Sequence, residues 1–244
     1  DEDGARQLSL PEGGAVLRSI VAINNRKLER LPTLTGYWWQ SYDFDSSAFS
    51  ENLIENLLEV KPDAGEFIWS LPNGLQAYYL ANGAGEQQRE APATIAQDSQ
   101  TPFRNKSVTN ARSCVLCHSA GINTFKDVVR DMLGAGASDV KSYDHARAQA
   151  VDDFYRGEAT RLQIDEDCKR FQGAVKELCG VSSDQIANEF TSIIHTYAEA
   201  PITLATAAAE IGCPPDQLTS AVTHLKAGTL WFVANGQSVA RDAW

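Results

Sequence analysis

The segment 114–118 reads Cys-Val-Leu-Cys-His, so two thiols lie three positions apart and a histidine directly follows the second. Each thiol of such a pair can add across one vinyl group of a haem, and the adjacent imidazole can bind the iron. The spacing therefore predicts one covalently attached haem c, with Cys114 and Cys117 holding the porphyrin and His118 ligating the iron.

Paired thiols also serve zinc sites and thioredoxin-like redox centres. A structural zinc site needs a second pair of ligands, and the chain has no other Cys-x-x-Cys and no closely spaced histidine pair. A thioredoxin-like centre would follow a strand, whereas residues 101–112 are polar and contain no strong apolar run. The motif therefore favours covalent haem.

The iron position opposite His118 is open to several ligands. Met132 is the only methionine of the chain, and the intervening residues are long enough to bring it to the other side of a haem. A His/Met pair would give the higher potential of an electron carrier. The alternatives are His195, His145 and His224, or an iron with no second protein ligand.

Haem propionates need cationic or hydrogen-bonding partners, and the fork of an arginine suits a carboxylate. Arg104, Lys106 and Arg112 all lie within fifteen residues of the motif. We expect Arg112 to fill this role.

The elements that position the motif begin with a β-rich N-terminal part. Residues 15–23 and 33–44 are rich in β-branched and aromatic residues and predict strands. Residues 67–80 predict a hairpin around a Leu-Pro-Asn-Gly-Leu turn, because proline presets one turn position and Asn-Gly accepts positive φ. Between these strands, apolar residues at helical spacing predict a helix over 46–60.

The chain turns helical after residue 109. A short helix is expected to carry the two cysteines, with Thr109 or Asn110 as its cap and Gly121 as its stop. The last hundred residues predict four or five further helices. The expected fold is α+β, with a small, mostly antiparallel β extension over 1–100 and a mainly helical, cytochrome c-like haem-binding part over 101–244.

Four segments carry a wider resemblance, namely 23–30, 39–44, 65–78 and 110–122. With these segments the chain resembles a group of exported bacterial monohaem c-type cytochromes that carry an N-terminal β extension. The resemblance covers roughly residues 18–125. It implies covalent haem and a sheet that packs on the haem part, but it implies no particular reaction.

Composition bounds the partners and the compartment. The formal charge of −11 argues against nucleic acid, which needs a basic surface, and could steer a basic redox partner protein. No run of about 18 apolar residues predicts a transmembrane segment. The sequence starts at Asp1 rather than methionine, and haem attachment to such a motif takes place outside the cytoplasmic membrane. We therefore expect a periplasmic or extracellular protein whose signal has been removed.

Three cysteines lie outside the motif, at positions 168, 179 and 213. An oxidising compartment favours one disulfide, and we expect it between Cys168 and Cys179. On a continuous helix these two residues would be about 16 Å apart, so the pairing requires a break in the helix, for which Gly173 is the candidate.

The function that these features favour is one-electron transfer by the covalent haem, in a carrier rather than a catalyst. One alternative is a haem enzyme or gas sensor with an open distal site, which reduces peroxide or binds a small ligand. Another is a haem-bearing docking subunit of a larger redox assembly, in which the β extension is an interface.

Overall fold

Five strands form an antiparallel sheet in the N-terminal part of the chain. The computed structural model describes residues 13–18, 22, 24–45, 57–98, 106–129 and 143–244. The strands are β1 (Gly13–Leu17), β2 (Arg26–Thr33), β3 (Gly36–Tyr42), β4 (Ala64–Ser70) and β5 (Gln76–Asn82). Each strand pairs with the next one along the chain, so the sheet is a simple meander. Helices follow it, which confirms the α+β fold class.

The hairpin between β4 and β5 forms as its turn residues predict. Gly74 has a φ of +82°, which glycine adopts at little cost. The Leu71 carbonyl accepts from the Gly74 N–H at 2.9 Å, and the Asn73 side chain accepts from the Leu75 N–H at 3.1 Å. The helix predicted over 46–60 lies outside the described residues except for its last four, which are not helical.

The two faces of the sheet differ because side chains alternate along each strand. We call one the cavity face and the other the aromatic face. The cavity face carries Arg26, Leu28, Trp39, Ser41, Glu66 and Ile68, and the aromatic face carries Trp38, Phe67, Trp69 and Tyr79. The central strand β3 is buried on both faces over its five middle residues.

Helices make up most of the described chain after residue 106. They are α1 (Arg112–Cys117), α2 (His145–Phe154), α3 (Gly157–Cys179), α4 (Ser183–Glu199), α5 (Leu204–Ile211), α6 (Pro215–Ala221) and α7 (Thr229–Ala234). A two-stranded ribbon joins β6 (Pro201–Ile202) to β7 (Val239–Ala240). Among the described residues, no helix has the length and apolar character that crossing a membrane requires.

The long helix α3 packs on the cavity face of the sheet. Its buried residue Ile164 joins Trp39 and Ile68 in one apolar cluster. Asp167, also buried, accepts two hydrogen bonds from Arg30, at 2.9 and 3.0 Å, and one from the Trp39 indole at 2.7 Å. A buried ionic anchor therefore fixes the helix to the sheet.

The same helix rules out the expected disulfide. It runs unbroken through Gly173, and Cys168 and Cys179 lie eleven residues apart on it with free thiols. At 1.5 Å of rise per residue they are separated by about 16 Å along the axis, far beyond disulfide reach. The prediction of a bridge between these two cysteines is wrong, because a glycine inside a well-packed helix need not break it.

The chain divides into two compact units, Asp1–Ala187 and Asn188–Trp244. The boundary expected near residue 100 lies inside the first unit, which contains the sheet, α1 and α3. The second unit has an apolar core of its own, formed by Ile202, Ala207, Ala208, Leu218, Val222 and Val233.

Candidate functional site

The motif lies on the short helix α1, as the sequence predicts. The helix starts after Ala111, which has a φ of +60°, and no side chain caps it, so neither Thr109 nor Asn110 is the N-cap. The helix ends at Cys117 and Gly121 follows with a φ of +108°. Residues three positions apart share one side of a helix, so both thiols face the same way.

Both thiols and His118 line one cavity of about 410 Å³ between α1 and the sheet. Its volume lies within the range of small-molecule and cofactor sites. The wall is largely apolar and includes Leu17, Leu28, Trp39, Ile68, Val108, Ile122 and Phe125. An apolar wall of this size suits a flat, mostly hydrophobic ring system.

The imidazole of His118 is held in one orientation. Its Nδ1 lies 3.1 Å from the carbonyl oxygen of Gly121, which can only accept, so Nδ1 carries the proton. The ring also lies beside Tyr78, with ring centroids 6.3 Å apart. A metal-binding histidine is usually fixed in this way through its other nitrogen. Nε2 remains as the atom that could bind iron.

A buried carboxylate faces that atom. The Oε1 atom of Glu66 lies 3.7 Å from His118 Nε2, and its Oε2 atom accepts from Arg26 Nη1 at 3.2 Å. Arg26 also forms a bidentate pair with Asp43, at 2.6 and 2.7 Å. Ser41 donates to Asp43 at 2.7 Å and accepts from the Glu66 backbone N–H at 2.9 Å. The strands thus hold the carboxylate in place from both its side chain and its backbone.

The charges of this network determine how Glu66 ionises. Burial alone would raise the pKa of Glu66, but the hydrogen bond and charge of His118 in its protonated form, together with Arg26, lower that pKa to about 2. Glu66 is therefore a carboxylate at neutral pH, and it adds one negative charge to the wall of the cavity.

The pKa values of the two thiols are raised, whereas that of Glu66 is lowered. Burial raises the pKa of Cys114 well above its ordinary value, and the charge of Glu66 raises it further. Burial and the charges of Asp98 and Glu66 raise the pKa of Cys117 to about 11. A thioredoxin-like dithiol or a cysteine nucleophile needs a lowered thiol pKa, so this environment argues against both uses.

The candidate sixth ligands lie elsewhere or outside the described residues. Met132 belongs to the latter group, so its role stays a prediction. His145 is exposed at the start of α2, and His224 is exposed in the second unit. His195 is exposed on α4 and pairs with Glu199 at 3.0 Å. Among the described residues that line the cavity, His118 is the one histidine.

The expected propionate partner, Arg112, is half-buried on α1 and donates to Thr109 at 2.9 Å. It is not among the residues that line the cavity, and neither is Lys106, while Arg104 lies outside the described residues. The arginines that do line the cavity are Arg26 and the exposed Arg18.

Sequence reasoning missed Arg26 and Glu66. Glu66 lies in the strand Ala-Gly-Glu-Phe-Ile-Trp-Ser, where one charge interrupts an otherwise apolar and small-residue run. That interruption is the signal that could have identified it, because a charge on a buried strand needs a partner. Its partner His118 is 52 positions away, which no local pattern reveals.

The donor set fits haem c. Two protonated thiols, one oriented imidazole and a largely apolar wall surround one volume. Among the residues described in the first and second units, no group of three or more His, Cys, Asp or Glu side chains is arranged to hold a bare metal ion. Comparison with protein families, with curated proteins and with solved structures finds no match to this chain.

Proposed function

We propose that this chain is an exported c-type cytochrome that carries one covalent haem and transfers single electrons. The observation that supports this most is the convergence of Cys114, Cys117 and His118 on one apolar cavity of about 410 Å³, with His118 held by Gly121. When bound, haem c would supply the one-electron couple of its iron.

The chain's own residues would attach and orient this group. Each thiol adds across one vinyl group, with sulfur bonding to one carbon and the S–H hydrogen passing to the other, so the step needs no oxidant. His118 holds its proton on Nδ1, which leaves the Nε2 lone pair for the iron. The apolar wall of the cavity limits the access of water.

The charged side chains beside the cavity would influence the midpoint potential of the haem iron. Arg26 contributes one positive charge, and Asp43 and Glu66 contribute two negative charges, which leaves a net charge of minus one. A buried negative charge stabilises ferric over ferrous iron, because the ferric form carries one more positive charge. We therefore expect this network to lower the potential.

The electron would enter from one redox protein and leave to another. The haem held by Cys114, Cys117 and His118 would supply this one-electron chemistry between a donor of lower potential and an acceptor of higher potential. The formal charge of −11 suits partners with a basic surface, and association should slow as salt rises. Export is part of the proposal, since such haem attachment takes place outside the cytoplasmic membrane.

Voltammetry of the haem-loaded protein adsorbed on an electrode tests this function. A carrier should give one reversible one-electron wave that added hydrogen peroxide leaves unchanged. A wave that grows into a large catalytic current with peroxide would contradict the carrier.

A haem enzyme with an open distal site is the second candidate, and Glu66 favours it. General acid–base catalysis on an iron-bound substrate needs a positioned proton acceptor, and Glu66 Oε1 is buried and 3.7 Å from the iron-binding nitrogen. The same electrode experiment distinguishes the two candidates, since only the enzyme gives a catalytic current.

A further inference from the structure

The carboxylate of Glu66 faces the place where the iron would bind. Its Oε1 atom lies 3.7 Å from His118 Nε2, and both side chains are largely buried. Metal bonds to histidine nitrogen and carboxylate oxygen are each about 2 Å long, so two ligands on opposite sides of a metal lie about 4 Å apart. One metal atom can therefore bridge the observed separation after a shift of a few tenths of an ångström.

The side chain is held in this position by the protein rather than by His118 alone. Arg26 binds its Oε2 atom at 3.2 Å, and Asp43 fixes Arg26 through two short hydrogen bonds. The backbone N–H of Glu66 is bound by Ser41 at 2.9 Å. These contacts leave the Oε1 atom directed towards His118.

Haem attachment would remove both groups that Glu66 meets on the α1 side. The Cys114 thiol lies close enough to Glu66 for that charge to raise the pKa of the thiol, and on attachment the thiol becomes a thioether without a donor hydrogen. His118 Nε2 is the other neighbour, and its lone pair goes to the iron. A largely buried carboxylate oxygen is unfavourable unless a donor or a cation lies beside it. Ferric iron is a hard cation that attracts such an oxygen.

We propose that Glu66 is the ligand of the ferric iron opposite His118. This inference rests on the proposed haem attachment, and it adds a carboxylate to the methionine and histidine ligands that the sequence offered. The negative ligand would favour the ferric state and would compete with external ligands for the same position.

The test measures binding of imidazole to the ferric, haem-loaded protein by its absorption spectrum, together with the midpoint potential. An internal ligand that occupies the iron about 90% of the time weakens external binding about tenfold. We therefore expect Glu66→Gln to bind imidazole about tenfold more tightly than the unmodified protein, to shift the ferric spectrum and to raise the potential.

Two further variants separate ligation from a general charge effect. Glu66→Asp keeps the charge but withdraws the oxygen by one methylene, so it should behave like Glu66→Gln. Glu166→Gln removes an exposed carboxylate of α3 that does not line the cavity and should change neither the ferric spectrum nor the imidazole affinity.

Ligation is contradicted if Glu66→Gln matches the unmodified protein, if Glu66→Asp does so while Glu66→Gln differs, or if Glu166→Gln has the same effect as Glu66→Gln. All of these outcomes leave the haem proposal intact. A chain that carries no covalent haem would overturn both proposals, so the two failures are distinguishable.

Discussion

The two faces of the five-stranded sheet treat buried side chains differently. On the aromatic face, Trp38 stacks on Trp69 with ring centroids 5.1 Å apart and packs against Phe67 at 5.6 Å. On the same face, the buried Lys27 is neutralised by Glu29 at 2.7 Å. The cavity face instead places Arg26 and Glu66 beside a volume of about 410 Å³.

This difference separates a face that is filled by packed side chains from a face that borders a cavity. Packed aromatic rings stabilise the fold through dispersion and the hydrophobic effect. The charged side chains of this face, Lys27 and Glu29, form an ion pair with each other. Around the cavity, the charged network extends to the imidazole of His118, so its charges act on whatever occupies that space. Buried ions that border a cavity are more typical of a functional site than of a core.

The largest effect is expected where the cavity face is anchored to α3. Asp167→Ala removes the carboxylate that neutralises Arg30 and accepts from Trp39. Leaving a buried charge uncompensated costs about 3–5 kcal/mol, so the free energy of unfolding measured with denaturant should fall by that amount. Glu166→Ala, at an exposed position of the same helix, is the control and should change the free energy of unfolding by less than about 0.5 kcal/mol. A loss below about 1 kcal/mol for Asp167→Ala would contradict the anchor.

On the aromatic face, Trp38→Ala should destabilise the protein by about 3 kcal/mol, because it removes a buried indole and its stacking partner contacts. The ferric haem spectrum should stay unchanged, since Trp38 points away from the cavity. Denaturation and absorption measured on the same sample check both points. A changed haem spectrum would show that the two faces are not independent.

Tyr37 provides a pH test of burial beneath α3. Burial raises the pKa of Tyr37 to about 12, and the charge of Asp167 contributes, although the hydrogen bond from Gln76 opposes the change. The neutral phenol is thus favoured in the folded state. The resulting stability is fully present below the ordinary pKa of about 10 and is lost as pH rises through 12, on the order of 2–3 kcal/mol.

Absorbance of tyrosinate during alkaline titration measures this directly. The Tyr37→Phe variant should lack one tyrosine that titrates near pH 12 and should lose less stability between pH 10 and pH 12. Identical titrations of the two proteins would show that Tyr37 is not buried as described.

The smallest effect is expected from the two arginines nearest to the proposed haem site. Arg18 lines the cavity and is exposed, whereas Arg112 does not line it and donates to Thr109. Removing a cation near the haem favours the ferric state, so Arg18→Gln should lower the midpoint potential and Arg112→Gln should change it less. The reverse order would support the propionate role expected for Arg112 from the sequence.

The sequence predicted those parts of the fold that depend on residues close together in the chain. The Pro-Asn-Gly turn predicted the β4–β5 hairpin, and a short helix was correctly predicted to carry the two cysteines, although its N-cap was not. Strand β2 was missed because its sequence Arg-Lys-Leu-Glu-Arg-Leu-Pro-Thr looks exposed. Its charges are largely buried because they are neutralised: Lys27 pairs with Glu29, Arg26 with Asp43, and Arg30 with Asp167, which is 137 positions away.

The sequence predicted only the part of the candidate site that would attach the haem, and it missed the residues on the strands opposite. Cys114, Cys117 and His118 form a contiguous motif, so their spacing alone predicts the attachment chemistry. The opposite wall comes from strands, and Glu66 reaches His118 through the tertiary fold. The short helix α7 shows a related limit, since its Val233 is buried by residues of the second unit that lie far from it in sequence.

The most direct test of the central claim is the intact mass of the chain after denaturation, when it is produced with export in a bacterium that matures c-type cytochromes. The account predicts a mass increased by one haem, which acid and organic solvent do not extract. The Cys114→Ser/Cys117→Ser double variant should lose that increase. A denatured chain with no added mass would contradict covalent haem at this site.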